Sequence, residues 1–223
     1  MFKEIINAFR NRDVVREMSQ RIGTMLDSGK WMLEQASNVL LRKDDWNAVA
    51  DNLYKKDKEI NAIERDIREQ IITHLSLSVV GQANVIPCLV LMSVVKDAER
   101  IGDYCKNIFE VGKFYRDPYR HREFIEPLEE IRTTLVNLFD PVKDAFINNR
   151  EDVADACIKK TAEIARKCDM IIQQLLSMQG NFDADEAVAY VLMARHYKRV
   201  SSHLGNIATS VVSAVPLIDF RHN

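Results

Sequence analysis

The sequence is poor in the residues that break a chain into turns, with 7 glycines and 5 prolines among 223 residues. This scarcity favours a few long helices over many strands. Long hydrophobic runs are also missing. A membrane-spanning helix needs about 20 consecutive, predominantly apolar residues. The nearest approach, residues 76–95, is interrupted by Gly81, Gln82, Asn84 and Pro87. The sequence therefore predicts a helical protein that has at most peripheral contact with a membrane.

An excess of charge is absent as well, because the formal net charge is −2. Nucleic-acid binding normally needs a basic surface, so this composition gives no reason to expect it. The cysteines are few and form no C-x-x-C pair, which disfavours a zinc knuckle or a dithiol redox site. They are Cys88, Cys105, Cys157 and Cys168. In a large chain that shows no export signal, we expect free, buried thiols and a cytoplasmic location.

Motifs that carry catalysis are missing from the sequence. None of the five histidines follows a glutamate by three residues, so the Glu-x-x-His pairs of di-iron helical bundles are not present. A Gly-rich phosphate loop, a G-x-S-x-G turn and an H-E-x-x-H pair are also lacking. We therefore expect a protein that is not an enzyme, with His196 and His203 as core or interface residues.

Helical periodicity is the strongest positive signal. Apolar residues recur at steps of three and four, for example at Ile60, Ile63, Ile67 and Ile71. The pattern predicts an all-α protein with a short helix at 2–10 and long helices at 13–42, 45–77, 84–115, 121–149, 151–179 and 184–214.

Capping residues and prolines refine the predicted helix ends. We expect Asp44 to cap the second long helix, because a side-chain oxygen at this position can accept a free backbone N–H. Asp183 and Glu186 have the spacing of a capping box at the last helix. Pro141 is expected to kink or break the helix that contains it.

The chain resembles itself on either side of a polar stretch at 115–123. Residues 49–60 and 153–164 share Val-Ala-Asp, Lys-Lys and Glu-Ile in identical register. We interpret the chain as a duplicated three-helix bundle, with the first copy at 13–116 and the second at 121–215. An amphipathic helix at 1–12 precedes both copies. It could dock on a membrane surface or in a partner's groove, or pack on its own bundle or on a dimer mate.

A second repeated pattern is kept only in part. Asn107 follows Arg100 by the same spacing as Asn206 follows Arg199. We expect these arginines and asparagines to hydrogen-bond between the helices of each bundle, since buried polar groups need partners. The acids of this pattern differ: Glu99 and Asp103 in the first copy correspond to Lys198 and Ser202 in the second.

The acids of the first copy have the spacing of a metal site. Glu99 and Asp103 lie four residues apart, so both carboxylates project from one helix face. Asp57, Asn61 and Glu64 have similar spacing on the preceding helix. Such oxygen ligands suit Mg, Mn, Fe or Zn without selecting among them. By spacing alone, a solvated charged face is the favoured alternative, with Lys96, Arg100 and Lys106 as counter-charges.

Residues 97–110, DAERIGDYCKNIFE, resemble the signature of the PhoU family, and the segment RVSSHLGNIATSV resembles its second copy. The resemblance begins at about Arg16. It implies two tandem three-helix bundles and a cytosolic homodimer. It also implies a role between a phosphate ABC transporter and its sensor kinase, in which the protein represses the phosphate-starvation response.

The resemblance further implies metal binding, because some members hold metal clusters at the E-x-x-x-D positions of each repeat. Here these positions are Glu99 and Asp103, with Asn61 where aspartate is common. In the second repeat the ligand positions hold Lys198, Ser202, Thr161 and Ala165. We therefore expect any metal, a divalent or iron-type ion, in the first repeat only.

The functional hypothesis is a non-catalytic regulator of phosphate transport and phosphate-starvation signalling that acts by protein–protein contacts. Two alternatives remain open from the sequence. One is a regulatory module for another ion transporter, and the other is a metal-binding helical-bundle protein.

Overall fold

The computed structural model describes residues 12–77, 85–178 and 182–213. These residues form six helices and no strand, which confirms the all-α prediction. The helices are α1 (Arg12–Leu40), α2 (Trp46–Leu77), α3 (Val85–Phe114), α4 (Arg122–Asn148), α5 (Glu151–Ser177) and α6 (Ala184–Val212). Their bounds follow the predicted ones closely. The short helix predicted at 2–10 lies outside the described residues.

The six helices are arranged as two tandem three-helix bundles. Helices α1, α2 and α3 pack together, and α4, α5 and α6 repeat this arrangement. The two bundles also contact each other, through α3 against α6 and α1 against α4. Buried side chains from all six helices form one continuous hydrophobic cluster. Because the hydrophobic core is continuous, it does not test the predicted bounds of the two repeats, 13–116 and 121–215, which stay a prediction.

Helices α3 and α6 lie at the centre, because they form the more extensive of the two contacts between the bundles and each also packs on both other helices of its own bundle. Close approach at this centre requires small residues. A Cβ atom at Gly112 of α3 would lie 2.7 Å from both the Cα and the N of Leu40, at the end of α1. In α6, a Cβ atom at Gly205 would lie 2.9 Å from the Oγ1 of Thr161 on α5. Glycine at these positions lets each central helix rest directly on its neighbour.

The helix ends confirm one predicted cap and correct two details. Asp183 caps α6, and its Oδ1 accepts the backbone N–H of Asp185 at 3.1 Å. The capping box is wrong, because the Glu186 Oε1 instead accepts the backbone N–H of Arg120 at 2.5 Å. At α2 the cap is Asp45 rather than Asp44, since the Asp45 Oδ1 accepts from the Asn47 N–H at 3.3 Å and the helix begins one residue later than predicted.

The sequence predicts a kink or a break at Pro141; the break does not occur, because α4 runs through both Pro127 and Pro141. Proline removes one backbone hydrogen bond and crowds the preceding turn. That cost is offset by the burial of neighbouring apolar side chains, including Phe139 and Val142. None of the helices in the described ranges is long and apolar enough to cross a bilayer.

Candidate functional site

Where the signature of the first repeat meets α2, a lysine lies between two acids. The Lys106 Nζ on α3 lies 3.2 and 3.1 Å from the two carboxylate oxygens of Asp57 on α2. The same Nζ lies 3.2 Å from the Asp103 Oδ1. The remaining Asp103 oxygen, Oδ2, accepts a hydrogen bond from the Arg100 Nη1 at 3.1 Å. All four oxygens of the two aspartates are therefore bonded to basic side chains.

The other three predicted ligands lie beside this cluster rather than in it. Asn61, Glu64 and Glu99 line a surface pocket of about 390 Å³, together with Lys58 and Arg65. Asn61 and Glu64 are placed there by α2, and Glu99 by α3. The five predicted ligands are thus divided between an ion-paired cluster and a neighbouring pocket.

The acids of this pocket also have basic neighbours. The Glu64 Oε1 lies 2.8 Å from the Arg68 Nη2, and the Glu99 Oε2 lies 3.5 Å from the Arg100 Nε. Burial raises the pKa of Glu99, and the charges of Asp103 and Glu64 raise it further. The ionised form of Glu99 is therefore disfavoured in the folded protein.

The arrangement does not fit a metal ion while Lys106 is in place. Magnesium and calcium contact carboxylate oxygens at about 2.0–2.6 Å, and the ammonium group already occupies the space between Asp57 and Asp103. In the described part of the chain, no three His, Cys, Asp or Glu side chains are grouped to hold a metal. The predicted ligand set, Glu99, Asp103, Asp57, Asn61 and Glu64, stays a prediction, and the geometry favours the charged-face alternative.

The corresponding surface of the second repeat carries the opposite arrangement of charge. Lys198, at the Glu99 position on α6, lies 2.5 and 2.6 Å from the carboxylate oxygens of Asp169 on α5. Asp169 occupies the position of Arg65 in the repeat. The acid and the base have therefore exchanged helices between the two copies.

A polar cluster that the sequence did not reveal joins the two repeats. Asp97 on α3 has only 1% of its surface exposed. Its Oδ1 lies 2.7 Å from the His203 Nδ1 and accepts from the Asn206 Nδ2 at 3.2 Å, both from α6. The Tyr104 ring stacks on His203 with a centroid distance of 5.6 Å. Of the two alternatives expected for His203, core or interface, the structure shows a place between the two bundles. The first signature contacts the second through this cluster.

The predicted role of the repeated arginines needs correction. Arg100 has 54% of its side chain exposed, and its ionic partners Glu99 and Asp103 lie on its own helix. Arg199 is exposed as well. Neither arginine faces the core, because their positions fall on the solvent side of the central helices. Asn206 does link helices, but it links the two bundles rather than helices within one.

The linker between the repeats, residues 115–121, is held at both sides. Arg42, just after α1, donates to the Gly112 carbonyl at 3.0 Å and also to the Tyr115 carbonyl. Its guanidinium lies 5.2 and 5.4 Å from the ring centroids of Tyr115 and Tyr119. On the other side, the buried Glu186 accepts from Arg120, as described above. The linker therefore behaves as a fixed part of the fold rather than as a tether.

An apolar groove opens next to this linker, where the end of α3 meets the start of α6. Phe114 and Val188 belong to the exposed large apolar side chains of the described residues, at 76% and 56% exposure. Together with Leu192 they line a groove of about 500 Å³, whose polar margin includes Arg116 and Asp185. We call this surface the α3–α6 groove.

Both repeats match one family model. The model of the PhoU domain matches residues 15–111 and again residues 128–211. The chain belongs to the PhoU family. The two matched ranges correspond to the two bundles, so the family domain occurs here in tandem.

Curated members of the PhoU family are similar over most of their length. The phosphate-specific transport system accessory protein PhoU homolog 1 of Thermotoga maritima is 26% identical over 204 residues, which cover 89% of this chain and 82% of that protein. The PhoU homolog of Synechocystis sp. is 26% identical over 168 residues, covering 70% and 69%. The similarity therefore includes both repeats.

Two solved PhoU structures share the fold. PhoU from Pseudomonas aeruginosa superposes with a TM-score of 0.78 at 19% identity, covering 91% of this chain and 97% of that one. The phosphate transport system regulatory protein PhoU from Streptococcus pneumoniae gives a TM-score of 0.72 at 20% identity, covering 89% and 93%. The tandem-bundle architecture is thus that of the PhoU fold.

Within the PhoU signature of this chain, sequence reasoning missed two contributions. The sequence predicts Lys106 as a counter-charge, but the contact of its ammonium group with acids on both helices depends on how α2 and α3 are aligned. Asp97 is the leading acid of the signature, and its position on the buried face of α3 was the signal that could have identified it.

Proposed function

We propose that this protein is a non-catalytic regulator of phosphate transport and phosphate-starvation signalling. It acts in the cytoplasm, as a homodimer, by contacts with a phosphate transporter or its sensor kinase. The observation that carries the proposal is the match of both bundles to the PhoU domain, together with relatives that are named phosphate transport accessory proteins.

The state of the reactive side chains supports a binding role rather than a chemical one. All four cysteines are buried and free. Burial raises the pKa of Cys157 to about 11 and that of Cys168 to about 12, which suppresses the nucleophilic thiolate. His203 is engaged by Asp97 inside the interface between the bundles. The thiols and this histidine therefore serve packing.

The α3–α6 groove is the surface that we assign to the transporter contact. Its exposed apolar side chains suit an apolar segment of a partner, because exposed apolar patches on folded proteins commonly mark interaction sites. The polar residues at its margin resemble the polar rim that surrounds the apolar centre of an interface. The rigid linker beside the groove keeps it in one shape before binding, which lowers the entropic cost of association.

Deletion of the gene in its own host, grown in phosphate-rich medium, tests the proposal. We expect a phosphate-starvation reporter to be switched on in the deletion strain and repressed again by the wild-type gene. Val188→Glu should fail to restore repression, because it places a charge in the groove. The matched control is Met170→Glu, which changes a similarly exposed apolar residue on α5, at 61% exposure, and should restore repression.

Two outcomes would contradict parts of this proposal. An unchanged reporter and unchanged phosphate uptake in the deletion strain would refute the phosphate role and favour a regulator of another ion transporter. If Val188→Glu restores repression while remaining folded, the groove is not the transporter contact. A Val188→Glu protein that sediments as a monomer, beside a dimeric wild type, would assign the groove to a second copy of the chain.

A further inference from the structure

The acidic cluster of the first repeat is neutralised by the protein's own basic side chains. An ammonium group has three N–H donors and no acceptor. The Lys106 Nζ has three carboxylate oxygens within 3.2 Å, two from Asp57 and one from Asp103. Its hydrogen-bonding capacity is therefore used completely by the acids that a cation would need.

The surroundings of Lys106 keep its side chain in the cluster. The lysine side chain is only 26% exposed, which limits its freedom to leave the cluster. A divalent cation would thus meet a fixed positive charge between the two aspartates.

The second repeat gives an internal comparison. There, the position of Asp57 is Thr161 and the position of Lys106 is Gly205. The two residues meet, since a Cβ atom at Gly205 would lie 2.9 Å from the Thr161 Oγ1. Where the acid is absent the lysine is absent too, which is the pattern expected if the lysine serves to neutralise the acid.

From these contacts we propose that the ammonium of Lys106 takes the place of a metal ion between α2 and α3, so that this PhoU-family chain holds its first repeat together without metal. The cluster is a cross-helix ion-pair site, with Asp57 anchored on α2 and Asp103 on α3. Removing the lysine charge converts the same carboxylates into a site for one divalent cation.

Titration of the full-length, chelator-treated protein with Mn²⁺, followed by the electron paramagnetic resonance signal of the free ion, tests this proposal. The wild type should bind no more Mn²⁺ than Asp103→Asn, and EDTA should leave its Tm unchanged. Lys106→Met keeps an unbranched, helix-favouring side chain and should gain one bound Mn²⁺ per chain. Loss of a positive charge so close to the site should strengthen binding by at least about tenfold.

The matched control is Lys160→Met, which removes the same charge from an exposed pair with Glu163 on α5. It should bind Mn²⁺ as weakly as the wild type. One equivalent of Mn²⁺ in the wild type that Asp103→Asn loses would overturn the proposal, whether or not Lys106→Met folds. A folded Lys106→Met protein without added binding would overturn it as well. These assays involve no transporter, so their outcome is independent of the regulatory role.

Discussion

Replacement of Gly112 by alanine should destabilise the protein, although alanine favours helices by about 1 kcal/mol over glycine. The added Cβ would lie 2.7 Å from both the Cα and the N of Leu40 and 3.0 Å from the carbonyl carbon of Val39. Carbon atoms in contact prefer about 3.5–4.0 Å, so α3 and the end of α1 must separate by roughly 1 Å. Because these atoms belong to a backbone, no side-chain rotation can relieve the contact.

The magnitude follows from the two opposing effects. Overpacking a well-filled core costs typically about 1–3 kcal/mol, and we place Gly112→Ala at the upper end because Arg42 binds both Gly112 and the end of α1. Subtracting the gain in helix propensity leaves a loss of about 2 kcal/mol. For a chain of this size, that loss lowers Tm by about 4–8 °C.

The matched control is Gly23→Ala. Its Cβ would lie 2.7 Å from the Ile147 Cδ1, the far end of a flexible side chain that can rotate away. We expect its free energy of unfolding to stay unchanged or to rise by up to about 1 kcal/mol. Urea denaturation followed by far-ultraviolet circular dichroism measures both variants. If Gly112→Ala is as stable as Gly23→Ala, the backbones of α3 and α1 are not close enough at Gly112 to exclude a Cβ atom.

Three further predictions concern the polar clusters and the assembly. Glu99→Gln should raise Tm at pH 7.5 and leave it unchanged near pH 3. The raised pKa of Glu99 means that its ionisation lowers stability as the pH rises, and protonation at low pH removes this effect. An equal gain in Tm at both pH values would contradict this. Asp97→Ala should lower the free energy of unfolding by about 3 kcal/mol, since it leaves the buried donors of His203 and Asn206 without their acceptor. Asp97→Asn keeps one acceptor oxygen and should recover part of this loss in the same denaturation assay. Sedimentation equilibrium at micromolar concentration should give twice the chain mass, whereas one species of 25.7 kDa throughout would rule out the dimer.

The fold could be predicted from the sequence because long amphipathic helices and an internal duplication leave few alternatives. Helix ends were harder to predict, since the choice between Asp44 and Asp45 depends on a shift of one residue in where the helix begins. Glu186 has the spacing of a capping residue, yet its side chain turns toward the linker, where it accepts the backbone N–H of Arg120.

The candidate site was harder to predict because it is built across helices. Spacing along α3 places Glu99 and Asp103 on one face, but it does not say how far α2 is shifted relative to α3. That shift brings Lys106 to Asp57 and leaves Asn61 in the neighbouring pocket. The rotation of α3 about its axis likewise turns Arg100 toward solvent and Asp97 toward the core, which the repeated motif alone did not indicate.

The exchange of acid and base between the repeats has a consequence for how a duplicated chain folds. Tandem copies with similar sequences risk misassembly, in which a helix of one copy pairs with the wrong neighbour. If α2 packed against α6, Arg65 would meet Lys198, and if α5 packed against α3, Asp169 would meet Glu99. Each wrong pairing brings like charges together. In the correct pairing Lys198 and Asp169 form an ion pair, and Arg65 and Glu99 line the same pocket. The charge pattern thus favours the packing of each helix against helices of its own repeat.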